Sequence, residues 1–303
     1  MGLQGAYPRG EERNIDRQRY CPMDVQRLDP AAALELVGEP LLTARAEGEL
    51  SHGILTRVAA DPAHYGTDVL VLVATRAGEP LALVSKTGVF PALVTGFADP
   101  ADVDFAALAR AMLGAGVRPD GTNGPVRWVE PFAQALTDLG ATTAPGRATR
   151  AFELHTLRPP HDPGGAYRDA TGADAGVLVP WTVAFWEFID EPLGGDAAVT
   201  TVERLTGNGD FAVWERAGAI VSMAAVVRRT PRSSTIAFVY TPPELRGRGY
   251  ASAVVAALTK RELDAGARCC SLFTDLANPT SNHVYTALGY EPRADFRMFE
   301  LQW

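Results

Sequence analysis

Residues 235 to 258, TIAFVYTPPELRGRGYASAVVAAL, constrain this chain more than any other stretch. Thr235 to Thr241 is rich in β-branched and aromatic residues and predicts a buried strand, while the alanine, valine and leucine content from Gly249 onward predicts a packed helix. Pro242 and Pro243 end the strand, because neither can donate a ladder hydrogen bond. Arg246-Gly247-Arg248-Gly249 then brings bare backbone to a helix N-terminus, where unpaired N–H groups and the helix dipole favour a phosphate. Arg246 and Arg248 add fork-shaped donors for its oxygens. Taken alone, the string favours an ordinary strand-to-helix turn with two solvated arginines, so a phosphate site needs support from the rest of the chain.

The surrounding pattern supplies an order of elements. Residues 1 to 24 are polar, lack a periodic apolar face and are expected to be mobile. Asp29-Pro30 predicts a capped helix start, broken further on by Gly38 and Pro40, and Leu50, Ile54 and Val58 share a helical face. DVLVLVAT and LALVSKT predict two strands around the turn Arg76-Ala77-Gly78, with a third at Pro91 to Gly96. A helix from about Asp102 to Leu113 follows. Asp120-Gly121 and Asn123-Gly124 read as turns before a helix carrying Trp128, Phe132, Leu136 and Leu139 on one face, and Ala151 to Leu157 as a strand.

RPPHDPGG, residues 158 to 165, reads as a linker. Beyond it come a short strand near Tyr167 to Ala170, helices at about Asp174 to Ile189 and Asp196 to Leu205, and a hairpin turning at Ala217-Gly218. CCSLFTD forms a further buried strand, Asn278-Pro279 caps a helix that ends near Gly289, and a last strand lies around Arg297 to Leu301. Strand, helix, strand implies a parallel crossover, with the glycine turn at a carboxyl end of the sheet, where open α/β sheets bind ligands. The same order occurs twice, around hairpin turns that share Arg-Ala-Gly, which suggests an internal duplication.

Composition narrows the classes. A chain of 303 residues with 47% hydrophobic content suits one large domain or two ordinary ones and excludes a disordered protein. No run approaches the ~18 apolar residues of a membrane span. The charged N-terminus lacks the apolar region of a signal peptide, so a cytoplasmic protein with no membrane partner is expected. Cys21, Cys269 and Cys270 make no disulfide framework, and with the adjacent pair inside an apparent strand no metal is expected. A net charge of -8 argues against non-specific nucleic-acid binding.

VYTPPELRGRGYA, followed by FTDLANPTSNHVYTALGYEP, resembles the GNAT superfamily of acyl-CoA-dependent N-acyltransferases. The family's phosphate-turn pattern falls on Arg246, Gly249 and Ala251, and its asparagine before a tyrosine-bearing helix on Asn278 and Tyr285. The resemblance is close from about residue 165 onward. Residues 25 to 157 resemble the weaker N-terminal half of two-domain bacterial members, by element order and by DGTNGPVRWVEPFAQAL. What the resemblance implies is an α/β protein of two tandem GNAT-like domains, each a mixed, splayed sheet flanked by helices. Residues 25–160 would be degenerate and residues 161–303 catalytic.

The resemblance also implies acetyl-CoA as co-substrate and a small-molecule or peptide amine acceptor, and leaves room for a homodimer. The pantetheine arm would lie along Val239, Tyr240 and Thr241 as an extra strand, and the diphosphate over Arg246, Gly247, Arg248, Gly249, Tyr250 and Ala251. Asn278 and Asn282 would border the ligand, although a helix cap suffices for the first and simple exposure for the second. Tyr285 would protonate the departing thiolate. The strand 235 to 241 has no carboxylate, so the general base is open: Asp275, Glu187, Asp190, Glu191, the chain terminus and a water chain are the candidates. Trp181, Phe185, Trp186 and Phe188 would border the acceptor or serve as packing. A non-catalytic CoA-binding sensor or interaction protein is the alternative from another class.

Overall fold

The computed structural model describes residues 21–303 apart from 64, 67, 190 and 192. Most of the expected N-terminal segment, residues 1–20, therefore lies outside the described residues, and so does Asp190. The chain divides into two compact units, one running to Arg147 and taking in Phe296–Trp303, the other Ala148–Asp295.

In the first unit, strand β1 (Asp24–Arg27) precedes helices α1 (Pro30–Thr43) and α2 (Glu49–Ala60). Asp29 caps α1 by accepting from the Ala31 N–H, with Pro30 at the first helical position. Gly38 and Pro40 were expected to break this helix, yet both lie inside it, since buried Ala33, Val37, Leu41 and Leu42 hold its inner face. Strands β2 (Val69–Arg76), β3 (Glu79–Thr87) and β4 (Ala92–Gly96) form an antiparallel meander. Its first turn places Ala77 and Gly78 at positive φ, as a tight hairpin requires. Helix α3 (Phe105–Gly114) then crosses to β5 (Gly121–Pro125), which runs parallel to β4, and α4 (Val126–Asp138) follows.

The segment 121–125 differs from the expected turn. Asp120-Gly121 and Asn123-Gly124 carry turn chemistry, but their glycines serve close strand approach: a Cβ on Gly124 would meet the Val94 carbonyl oxygen at 2.3 Å. Alternation along β2 sends Leu70, Leu72 and Ala74 towards α3 and α4, and Val71 and Val73 towards α1 and α2. Both faces of the sheet are thus covered.

Strand β6 (Thr142–Leu154) leads into the second unit, which continues with β7 (Ala166–Asp169), α5 (Ala175–Phe188), α6 (Gly195–Gly207), β8 (Phe211–Arg216), β9 (Ala219–Arg229) and β10 (Ser233–Tyr240). Helix α7 (Tyr250–Asp264), β11 (Cys269–Asp275), α8 (Pro279–Leu288) and β12 (Glu291–Gln302) complete the order. The repeated sequence of elements is present, with β10 and β11 parallel across α7 as β4 and β5 are across α3. The packing division falls inside β6 and β12 and not in residues 158–165. Residues 149–154 pair with β11 in the second unit, and residues 296–300 pair with β5 in the first, so the last strand contributes to the sheet of the first half.

Asp174 ties the start of α5 to β7. Its carboxylate takes two hydrogen bonds from Arg168, at 2.8 and 2.9 Å, and one from the Thr171 N–H. The Arg168 guanidinium holds its pKa down, at about 2. A depressed carboxylate contributes its stability above the unfolded value near 3.9 and loses it as pH falls through the folded value. Asp174→Asn is therefore expected to cost roughly 1–2 kcal/mol at pH 7 and almost nothing near pH 2, as read by denaturant unfolding across that range. A loss independent of pH would contradict this role.

Candidate active site

Strand β10 is where the second unit opens. Its parallel pairing with β11 runs from Ser233 opposite Cys269 to Ile236 opposite Leu272 and then stops. Strand β10 continues beside β9 to Tyr240, and β11 continues beside β6 to Asp275, so the two diverge into a wedge. A bulge causes part of this divergence: Ala237 pairs with Ala225 and Tyr240 with Met223, leaving two residues of β10 opposite one of β9.

Phe238 sits in the bulge at φ 54, a conformation rare for an aromatic residue. Regular alternation would put Phe238 on the same face as Ile236. Instead Ile236 packs with α7 and α8, while Phe238 packs with Phe185, Trp186 and Phe211 on the other face. That aromatic cluster holds the bulge. The Phe238 bulge is not legible in the sequence, because FVY has the composition of a regular strand.

The turn after β10 forms as expected. Gly247 has φ 75 and Gly249, the N-cap of α7, has φ 82, both in the left-handed region that favours glycine. The turn thus places exposed backbone at the start of a helix of the length required for a useful dipole. The arginines differ from the expected pair of free forks. Arg246 donates from Nε to the Thr241 carbonyl at 2.9 Å, which closes the turn, and Arg248 donates to the Glu244 carbonyl at 3.3 Å. A third arginine, read in the sequence only as part of a hairpin turn, stands at the same place. Arg216, at the end of β8, donates to the Tyr250 hydroxyl at 2.6 Å, and this bond lowers the tyrosine's pKa. Ser222 supports the strand end, bonding to the Tyr240 carbonyl and the Thr241 hydroxyl.

Helix α8 supplies the other wall. Asn278 caps it by accepting from the Ser281 N–H at 3.0 Å, with Pro279 next, and Gly289 ends it at φ 101. Asn282 donates to the Asp275 carbonyl at 3.3 Å, while its Oδ1 is buried with no partner among the described residues. A buried amide oxygen left unpaired costs about 1–3 kcal/mol, which a ligand N–H would recover. Tyr285 is 7% exposed, its ring edge-on to Tyr290, and burial pushes its phenol up. It therefore keeps its proton at neutral pH. Asp275 is half-buried, and its Oδ1 accepts from the Ala277 N–H at 2.7 Å in the turn that opens α8. Glu187 is exposed on α5, and Glu191 is half-buried beyond it.

On the α5 side, Trp181 lies 5.8 Å from Tyr240, and Arg246 lies 5.9 Å from the Phe188 ring and 6.0 Å from Tyr240. The expected aromatic cluster is thus divided: Phe185 and Trp186 pack on the bulge, whereas Trp181 and the exposed Phe188 border the mouth beyond it. Ala251 is on the first turn of α7, and Val239 and Tyr240 are half-buried at the wedge edge.

The first unit treats the corresponding place differently. Asp99 and Asp104 cap helix starts and Asp102 pairs with Arg76, where the second unit has its glycine turn. The fully buried ring of Trp128 lies against Gly96 at the end of β4, so closely that a Cβ there would meet it at 2.3 Å.

Comparison with known proteins agrees with this architecture. Among solved structures, the chain resembles in fold a GCN5-related N-acetyltransferase from Sphaerobacter thermophilus, at TM-score 0.63 and 16% identity over 91% of this chain and 94% of that one. An acetyltransferase from the GNAT family of Colwellia psychrerythraea gives 0.59 at 11% identity, covering 92% and 100%. A tandem GNAT protein from the clavulanic acid biosynthesis pathway gives 0.55 at 15%, covering 92% and 98%. No curated protein matches the chain in sequence. Among the described residues no helix is long and apolar enough to cross a membrane. Residues 179–290, which include the bulge, the glycine turn and helix α8, match the model of the acetyltransferase (GNAT) family, and the chain as a whole has the fold of two GNAT-like domains.

Proposed function

We propose that this protein is an acetyl-CoA-dependent N-acetyltransferase that acetylates a primary amine on a small-molecule acceptor. The observation that carries this reading is the joining, in one unit, of a wedge opened by the Phe238 bulge to a positive-φ glycine turn at the start of α7. The diphosphate lies over the backbone from Arg246 to Ala251, with Arg216 and Arg248 supplying positive charge beside Tyr250. The pantetheine arm follows Val239, Tyr240 and Thr241 as an added strand, and the Asn282 Oδ1 accepts from one of its amides. Asn278 shapes the same wall as the cap of α8.

The amine nitrogen attacks the thioester carbonyl carbon, the C–N bond forms and the C–S bond breaks. A backbone N–H turned out of the ladder at the bulge stabilises the developing oxyanion. Asp275 receives the amine proton, directly or through water, on the carboxylate oxygen not used in its turn. Tyr285 protonates the leaving thiolate, in surroundings where burial disfavours a thiolate as it does a phenolate. Trp181, beside Tyr240, offers a ring face to a cationic acceptor, whereas the rings of Phe188 and Tyr240 lie against the Arg246 guanidinium. The reaction belongs in the cytoplasm.

The test is release of free CoA thiol from acetyl-CoA with a panel of amines. Release that requires an amine and falls by about 10²-fold or more in Asp275→Asn is expected. Tight acetyl-CoA binding without thiol release for any amine would favour the non-catalytic sensor.

A further inference from the structure

At the other end of β11 lies a cluster that the proposed acetyl transfer does not use. Glu153, in β6, and His155, just beyond it, meet Cys269, the first residue of β11, and one donor atom of each lies within 4.8 Å of the others. We propose that Glu153, His155 and Cys269 bind one Zn²⁺ ion, with water in the fourth position.

The donor spacing fits. Cys269 Sγ lies 3.2 Å from Glu153 Oε1, and His155 Nε2 lies 3.5 Å from Glu153 Oε2. Bonds of about 2.0–2.3 Å to a tetrahedral ion separate its ligand atoms by about 3.3–3.8 Å, so small side-chain adjustments admit the ion. The chemistry fits as well, since a thiolate and an imidazole favour zinc over magnesium or calcium.

The surroundings resemble the outer shell of a metal site. His155 Nδ1 is 3.1 Å from the Arg268 carbonyl, which can only accept, so Nδ1 carries the hydrogen and the Nε2 lone pair faces the cluster. Arg293 donates to Glu153 Oε2 at 3.0 Å and so orients the carboxylate towards Cys269 and His155. Charges balance: carboxylate and thiolate neutralise Zn²⁺, and Glu291, 2.8 Å from Arg293, neutralises the arginine. Glu153 and Cys269 are buried, while His155 is exposed and offers a way in. Pairing of Leu154 with Cys270 fixes the two strands that carry the ligands. Binding transfers the Cys269 thiol proton to solvent as the S–Zn bond forms.

The ligands are separated by the linker and a whole sheet in sequence, which is why a count of cysteines gives no sign of them. Their place at the start of β11, with the wedge beyond Leu272, makes the ion a staple between strands and independent of cofactor binding. The full chain, stripped with chelator, would be titrated with Zn²⁺ against a chromogenic chelator and separately with Co²⁺. One ion per chain is expected, with a thiolate-to-cobalt charge-transfer band in the near ultraviolet. Cys269→Ser should remove the band and Cys21→Ser should keep it. His155→Ala, at an exposed position, should weaken Zn²⁺ binding at least about tenfold even if Cys269→Ser does not fold. No stoichiometric binding, a band that survives Cys269→Ser, or unchanged affinity in His155→Ala would overturn the proposal, whatever the outcome of the acetyl-transfer assay.

Discussion

Tyr285→Phe should lower turnover about 10²- to 10⁴-fold, the usual worth of a positioned general acid, with acetyl-CoA affinity nearly unchanged. Removing the hydroxyl leaves the ring, and the ring is what packs edge-on to Tyr290 in the core beneath α8. Folding should therefore be preserved, which separates the proton's role from that of packing. Burial raises the phenol, so the proposed acid is in its donating form across the neutral range. Steady-state kinetics and a separate binding titration on the variant would decide the matter. Turnover equal to wild type would leave Tyr285 a packing residue and give proton delivery to water.

Gly249→Val has the other large expected effect, loss of detectable CoA binding in a protein that still folds. Gly249 caps α7 at φ 82, where a β-branched residue is strained by about 1–2 kcal/mol or more. The chain would relieve that strain by moving the turn, and with it the N–H groups proposed to hold the diphosphate. Space within the protein is a lesser obstacle, since among the described residues a Cβ at this position meets only Pro163, at 3.6 Å. The loss is thus one of backbone aim. Circular dichroism would confirm the fold, and unchanged affinity in the folded variant would refute the phosphate assignment.

The sequence made much of this legible because its local signals agree with its tertiary ones. Asp29-Pro30 and Asn278-Pro279 cap the helices they were expected to cap, and both Arg-Ala-Gly turns form hairpins. The segment 121–125 was misread because glycine has two uses, positive φ and close approach, and Gly124 faces the Val94 carbonyl for the second. The Phe238 bulge was invisible because its cause is an aromatic cluster contributed by α5 and β8, distant in sequence. The contact of Arg216 with Tyr250 is hidden for the same reason, since the arginine belongs to a hairpin turn distant in sequence from the glycine turn. The division within β6 and β12 is set by long-range strand pairing, which composition does not encode, whereas the proline-rich run 158–165 carries only a local signal.

In the proposed account only the second unit binds cofactor. The first lacks the glycine turn, presents Asp99, Asp102 and Asp104 in its place, and packs Trp128 against the end of β4. Those carboxylates would repel a diphosphate where backbone N–H groups and arginines attract it in the second. Calorimetric titration of the whole chain with CoA tests the central claim most directly. The account predicts a single site per chain that disappears in Gly249→Val; two sites, or one site that survives this substitution, would contradict it.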